Sequence, residues 1–333
     1  MRPFLIVLTL CPAAALADVP RVVTDIAPVH SLAAMAMQGL GEPALLVPSG
    51  ASPHGFALRP SDARALEAAG LVILNGGGLA PAAERAAAEL APGATRIDLM
   101  ALEPTHRLPA REGAALEAHD HDGDREGRGG DDHDVEHHEA HGDEDHGDED
   151  HRRGAHDDHA GDDFDPHGWL DPANAKVWLV TIAAALAEVD PGNADRYAAN
   201  AEAGAEQIDA AAQAAREVLS PVAAAPFLVA HDSLAYFEDA FGLTAAGAVA
   251  GLDAAAPGPR RVEAARAALE GSGAACVFTE VGEPSPLAER VAEGTAARLV
   301  EIDPLGARLD PGPGLYPALL ERLAADMAAC LGG

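Results

Sequence analysis

The chain has 333 residues, of which 48% are hydrophobic and 23% charged, and its formal net charge at pH 7 is −32. We expect no nucleic-acid partner, because binding to a phosphate backbone depends on clustered Lys and Arg. The chain contains only 3 Tyr, 2 Trp and 7 Phe, which argues against an aromatic-lined groove for sugars or nucleobases.

Residues 1–17 are typical of a secretory signal peptide. Arg2 provides the positive start, residues 4–10 the apolar core, and residues 15–17 (Ala-Leu-Ala) a small-residue cleavage site. The apolar run is too short to span a membrane, which takes about 20 residues. We therefore expect a secreted, periplasmic protein. A lipoprotein anchored at Cys11 is the alternative, although the neighbours of that cysteine fit an acylation site poorly.

Beyond the signal, short apolar runs alternate with Ala-rich helical stretches, which is the pattern of βαβ units in parallel sheets. The first half contains four predicted strands, at residues 21–24, 44–47, 71–74 and 95–99. A helix is predicted at residues 62–69, where Gly70 provides a C-terminal stop. The second half repeats the alternation, with predicted strands at residues 227–230, 245–249, 275–279 and 298–302.

A long helix separates the two halves. Residues 194–219 contain scarcely a helix breaker apart from Gly204, and this stretch is too long for an ordinary crossover. We interpret it as a rigid connector. The predicted fold is α/β, with two doubly wound lobes whose parallel sheets are joined by this helix. The predicted domains are an N-terminal lobe, a connecting helix and a C-terminal lobe, at residues 18–190, 191–220 and 221–333.

An acidic, His-rich segment interrupts the N-terminal lobe at residues 117–163. It contains 10 His, 20 acidic residues and 4 Arg, and so accounts for half of the net charge. Its few apolar side chains predict disorder. Imidazoles and carboxylates together suit divalent transition metals, zinc above all. We predict weak auxiliary metal binding, with a plain acidic linker as the alternative, by His119, His121, His133, His137, His138, His141, His146, His151, His156 and His159.

Two cysteines, Cys276 and Cys330, remain after removal of the signal peptide. In an oxidising compartment an isolated pair favours a disulfide. Such a bridge would anchor the last helix to a predicted strand. Two separately buried thiols are the alternative.

Isolated His and acidic residues follow the predicted strands, where open parallel sheets bind their ligands. His54, His231 and Asp303 come after strands, and Glu280 ends another. His167 lies where the acidic segment rejoins the fold. Three imidazoles and one carboxylate form a ligand set suited to tetrahedral zinc.

Other histidines have a simpler explanation. A lone His in a turn is more often a local hydrogen-bonding group than a metal ligand. We assign that role to His30 and His106.

Four segments, in order, resemble the motifs of one protein family. They are residues 51–62 (ASPHGFALRPSD), 165–172 (DPHGWLDP), 230–237 (AHDSLAYF) and 302–306 (IDPLG). These segments are similar to the metal-binding motifs of the zinc-specific, ZnuA-type solute-binding proteins of bacterial ABC importers. A His-rich acidic segment between the first two motifs and a similarly placed Cys pair are also features of that family.

The resemblance implies two lobes with zinc in the cleft between them. It implies that His54, His167 and His231 bind the metal and that Asp303 can be a fourth ligand. One departure matters. Some members have Glu immediately before the first ligand His, and this chain has Pro53 there. The fourth position therefore falls to Asp303 or a water.

The resulting prediction is a monomeric periplasmic protein, not an enzyme, that captures Zn²⁺ and delivers it to the membrane permease of an ABC importer. Glu280 is a candidate for orienting a ligand imidazole. The first alternative is a manganese or iron carrier of the same fold, but those metals favour more oxygen ligands than this chain offers. The second is a secreted zinc hydrolase with Asp232 or Glu280 as general base. A surface adhesin is a third alternative, which the sequence neither supports nor excludes.

Overall fold

The computed structural model describes residues 19–111, 164–283 and 285–333. The predicted signal peptide (residues 1–17) and the acidic His-rich segment (residues 117–163) lie outside the described residues. No helix in the described part of the chain is long and apolar enough to cross a membrane.

The first lobe contains a four-stranded sheet with strand order β2-β1-β3-β4, in which all neighbours are parallel. The strands are β1 (Val22–Thr24), β2 (Ala44–Leu45), β3 (Leu71–Leu74) and β4 (Thr95–Asp98). The helices α1 (Ala27–Ala36), α2 (Pro60–Glu67) and α3 (Pro81–Leu90) alternate with them. Strand β2 is shorter than predicted, yet Leu46 N still donates to Thr24 O at the end of β1, and Val47 N donates to Asp25 O just after it, both at 2.9 Å.

The second lobe repeats this plan with strand order β6-β5-β7-β8, again all parallel. The strands are β5 (Phe227–His231), β6 (Ala245–Ala250), β7 (Cys276–Glu280) and β8 (Arg298–Ile302). The helices α6 (Ala235–Phe241), α7 (Pro259–Ser272) and α8 (Pro286–Ala292) connect them. Strands β3 and β5 are buried at every residue. Helices cover both faces of such sheets, so their strands are near-continuous apolar runs.

Three long helices join the lobes. They are α4 (Pro172–Val189), α5 (Ala194–Leu219) and α9 (Leu315–Leu331), and α5 packs against both others. A Cβ at Gly204 of α5 would lie 2.7 Å from Leu179 Cδ2. The glycine therefore permits the close approach of α5 to α4. The predicted two-lobed α/β fold with a long joining helix is confirmed.

Hydrogen bonds also connect the lobes near the joining helices. Ser31 Oγ in α1 donates to Gly312 O at 2.7 Å and accepts from Tyr316 N at 2.9 Å. Tyr316 OH donates to Trp169 O at 2.7 Å, and Trp169 Nε1 donates to Pro304 O at 2.9 Å. The main hydrophobic core likewise includes residues of both lobes. These hydrogen bonds therefore fix the two lobes to each other.

A disulfide joins Cys276 at the start of β7 to Cys330 in α9, with the Cα atoms 6.2 Å apart. The predicted bridge is confirmed. Both cysteines are buried, and Arg298 donates a 2.6 Å hydrogen bond to Cys330 O. The bridge fixes the end of the last helix to the second sheet.

Removing this bridge should lower the free energy of unfolding. The cysteines are 54 residues apart, and loop closure of that length contributes about 4 kcal/mol. We expect a loss of this size for Cys276→Ala/Cys330→Ala in urea unfolding of metal-free protein. Reduced wild-type protein is the control, because it loses the bridge but keeps both side chains. A loss below about 1 kcal/mol in both would contradict the prediction.

Candidate metal centre

Three imidazoles meet at the edge where the two sheets face each other. One ligand nitrogen from each of His54, His167 and His231 lies within 4.8 Å of the others. The ring centroids are 5.0 to 5.8 Å apart. Within the described ranges, this is the one group of three or more metal-binding side chains with ligand atoms this close. His54 and His167 come from the part of the chain before the long helix α5, and His231 comes from the part after it.

His167 is oriented by a carboxylate two residues earlier. Its Nδ1 lies 2.7 Å from Asp165 Oδ1, and its Nε2 is buried without a hydrogen-bond partner. Burial, with the charge of His231, holds the pKa of His167 well below its usual range, so the ring is neutral. A neutral ring that donates from Nδ1 keeps its lone pair on Nε2. The Nε2 lone pair is therefore not used in any hydrogen bond.

The backbone around His167 is closely packed. A Cβ at Gly168 would lie 2.4 Å from Met100 Sδ, so the next position has no room for a side chain. Asn75 Nδ2 donates to Pro166 O at 2.9 Å, and His167 N donates to Asp165 Oδ1 at 2.8 Å. These contacts fix the turn and with it the imidazole.

The role of Asp165 was missed from the sequence. Burial raises the pKa of Asp165 to about 7, although the His167 N–H and the charge of Arg111 lower it. Metal-ligating His rings commonly donate their second N–H to a carboxylate. The Asp-Pro-His spacing was the available signal, since an acid two residues before a ligand can reach the ring.

His231 is the last residue of β5 and is held from both sides. Its Nε2 donates to Leu252 O at 3.0 Å, and its Nδ1 lies 3.2 Å from Glu280 Oε1. Burial lowers the pKa of His231, but the charge of Glu280 outweighs it and raises the pKa to about 9. Ser233 Oγ donates to the same Glu280 oxygen. Glu280 therefore lies in direct contact with His231.

His54 lies in the loop between β2 and α2. Arg59 closes this loop, because its side chain donates to Asp62 at 2.8 Å and to Leu46 O at 3.1 Å. Phe56 anchors the same loop in the main core. Burial, and then the neighbouring imidazoles, lower the pKa of His54 to about 3. His54 is thus a neutral imidazole at pH 7.

Asp303 does not belong to the group of three imidazoles. Its Oδ1 accepts from Ala307 N and its Oδ2 from Arg308 N, both at 2.8 Å. The carboxylate caps the turn that follows β8. Its role as a fourth ligand stays a prediction.

His30 and His106 lie outside the group of three imidazoles, and each ring contacts a local hydrogen-bonding partner. His30 Nε2 lies 3.0 Å from Pro43 O, and His106 Nδ1 lies 3.0 Å from Asp171 Oδ2.

Asp232 next to His231 has a separate partner. It is fully buried and forms an ion pair with Arg111, which also contacts Glu238 at 3.0 Å. Arg111 lies in no motif, and no local pattern in the chain predicts this contact.

The arrangement can bind a divalent transition metal. Neutral imidazoles are ligands for zinc, copper, iron and nickel, whereas manganese and magnesium prefer oxygen ligands. Three closely spaced imidazole nitrogens match the protein ligands of a tetrahedral site with one further position.

Residues 22–330 match the model of the ZnuA family, described as zinc-uptake complex component A, periplasmic. The chain belongs to this family. The match spans both lobes and includes all three clustered histidines. The resemblance recognised from the four motifs is confirmed.

Curated ZnuA relatives are similar over nearly the whole chain. The high-affinity zinc uptake system protein ZnuA of Paracoccus denitrificans is 41% identical over 95% of this chain and 93% of its own length. The protein of the same description from Brucella abortus is 38% identical over 93% of this chain and 91% of its own length.

Solved structures confirm the ZnuA fold. A crystal structure of ZnuA has a TM-score of 0.70 and is 21% identical, covering 94% of this chain and all of the other. The SBP FpvC from Pseudomonas aeruginosa in complex with Mn²⁺ has a TM-score of 0.71 and is 23% identical, with coverage of 94% and 99%.

The ring contacts predict opposite tautomers for two buried histidines. In metal-free protein at pH 8, His167 should have its proton on Nδ1, because Asp165 accepts it there. His30 is the control and should have its proton on Nε2, which faces the carbonyl of Pro43. Burial lowers the pKa of both rings, so both are neutral at that pH. Long-range ¹H–¹⁵N NMR correlation spectra report the tautomers, and an Nε2–H form of His167 would contradict the assignment.

Proposed function

We propose that this protein captures Zn²⁺ in the periplasm and delivers it to the membrane permease of an ABC importer. The supporting observation is the group of three imidazoles, His54, His167 and His231, in a chain of the ZnuA family. The family match and the relatives named for zinc uptake support zinc as the cargo. The protein acts as a monomer in this proposal.

The donor atoms favour zinc over manganese or iron. His54 and His167 are neutral imidazoles, and His231 becomes one when the metal displaces its proton. Three imidazole nitrogens and at most one carboxylate form a borderline-soft set, whereas manganese prefers a majority of oxygen ligands. Glu280 contacts His231 and is proposed to orient that ring rather than to bind the metal. The fourth position falls to a water or to Asp303. In the second case the carboxylate uses lone pairs that its two backbone hydrogen bonds leave over.

Catalysis fits the site less well than capture. A zinc hydrolase needs an open zinc-bound water beside a general base. Asp232, one of the two predicted candidates, is fully buried and bound by Arg111, so it cannot face such a water. Glu280 is already engaged by Ser233 and His231. We therefore propose a binding protein that is not an enzyme.

Metal titration tests this proposal. Calorimetry of metal-free protein should give one tight zinc site that binds zinc at least about tenfold more strongly than manganese. His54→Ala or His231→Ala should weaken zinc binding by about 100-fold or more, because each removes a ligand. His30→Ala and His106→Ala are the matched controls and should change the affinity by less than about threefold. Asp303→Asn should have a smaller effect than either ligand variant, because water can replace one oxygen.

Two outcomes would contradict the proposal. Equal or tighter manganese binding would exclude zinc as the preferred cargo. Equal losses for all four His→Ala variants would show that the ligand assignment is wrong.

We also propose that the ten histidines of residues 117–163 bind additional zinc weakly. The described residues that flank this part of the chain are paired, since Pro109 forms a bridge with Phe164 and Asp165 N donates to Leu108 O at 2.9 Å. Phe164 is three residues from His167. Metal bound by the segment is therefore at a high effective concentration near the three imidazoles.

Deleting residues 117–163 should leave the tight zinc site intact and remove the weaker sites. The composition of the segment predicts disorder, and a disordered segment must be ordered by each metal that binds, which lowers its affinity. Calorimetric zinc titrations of the full chain and the deletion variant measure the difference. A variant of the full chain with the ten histidines replaced by Asn is the control for the effect of charge. Identical isotherms for all three proteins would show that the segment binds no metal.

A further inference from the structure

Two glycines from opposite lobes come into contact in segments close in sequence to His54 and Glu280. Gly282 lies just after β7, and a Cβ at this position would be 2.6 Å from Gly50 O and 3.2 Å from Gly50 C. The contacting atoms of Gly50 are backbone atoms, so they cannot rotate away as a flexible side chain would. The backbone of Gly282 has φ +85°, in the region that favours glycine.

This contact is close in sequence to two of the three histidines. Gly50 is four residues before His54, in the loop that Arg59 closes. Gly282 is two residues after Glu280, which lies 3.2 Å from His231 Nδ1. The turn is short, since Glu283 N donates back to Glu280 O at 3.2 Å. A displacement of Gly282 away from Gly50 therefore changes the spacing between His54 and His231.

Metal–ligand distances in a zinc site vary by less than the displacement that a side chain at position 282 would require. Real Cβ atoms essentially never approach another heavy atom closer than 3.0 Å, so a Cβ at Gly282 would require a shift of about 0.4 Å or more. Metal–ligand distances in a well-formed site vary by only about 0.2 Å. The clash would thus stretch at least one metal–ligand bond beyond its normal range.

We propose that Gly282 is a positioning residue that sets the distance between the His54 loop and His231, and so the affinity for zinc. This inference rests on the proposed function. The absence of a side chain at position 282 lets the two lobes approach until all three nitrogens reach one ion. A side chain there would hold the lobes apart at this edge, while the joining helices keep them connected elsewhere.

Matched glycines separate this steric effect from backbone strain. Gly273, at the end of α7 in the same lobe, has φ +65° and nothing within 4 Å of its Cβ position. Ala or Asn at Gly273 therefore has the strain of a positive φ without a contact across the cleft. Asn tolerates such angles better than most residues, so Gly282→Asn and Gly273→Asn form the milder pair beside Gly282→Ala and Gly273→Ala.

The experiment measures zinc affinity by chelator competition and zinc dissociation by stopped flow. We expect both Gly282 variants to bind zinc at least about tenfold more weakly than wild type, mainly through faster dissociation. The Gly273 variants should remain within about twofold. Thermal unfolding of the metal-free proteins should be equal within each Ala or Asn pair, because a small separation of the lobes at this edge relieves the clash when no metal has to be held.

Two results would overturn this inference. One is an unchanged zinc affinity in the Gly282 variants. The other is a metal-free stability that falls further in the Gly282 variants than in the Gly273 variants, which would show that Gly282 shapes its own lobe. If wild-type protein itself fails to bind zinc tightly, the proposed function fails instead, so the two failures are distinguishable.

Discussion

The other features of the site depend on one constraint. Three basic rings are held in a largely buried space with their centroids no more than 5.8 Å apart. Without metal, rings this close repel one another when charged, and burial penalises their charged forms. Each ring is therefore fixed by its own surroundings. Asp165 holds His167, Leu252 O and Glu280 hold His231, and the closed loop around Arg59 holds His54. A metal ion that enters finds nitrogens already close together, so little ordering opposes binding.

The packing of the two lobes against each other keeps the three rings close together. The main core continues from one lobe to the other, and the contacts of Ser31, Tyr316 and Trp169 fix the lobes to each other. Arg111 adds a further contact, since it comes from the first half of the chain and binds Asp232 and Glu238 of the second. Breaking a buried pair of this kind leaves uncompensated charge. These contacts favour small adjustments at the cleft over a wide hinge motion.

The sequence predicted most of the fold because its signals are local. Strands β3 and β5 are buried on both faces and therefore read as unbroken apolar runs, and the clustered histidines were identified from strand ends and motifs. Which nitrogen of each ring points inward could not be predicted, since it depends on partners such as Leu252 O. The contact of Gly282 with Gly50 joins segments more than 200 residues apart in the chain and has no local pattern. Asp303 lies at the predicted strand end, yet its bonds to Ala307 N and Arg308 N are visible only in the folded chain.

The pairing of Pro109 with Phe164 has a practical consequence for protein engineering. It places the two points where the chain leaves and re-enters the fold side by side, and Phe164 is three residues from His167. A guest domain whose own termini are adjacent can be inserted between such points without separating them. A fluorescent protein placed there would be mechanically coupled to the turn at His167. The scaffold therefore offers a natural insertion point for a genetically encoded metal sensor, in which occupancy of the cleft is read as a change in emission.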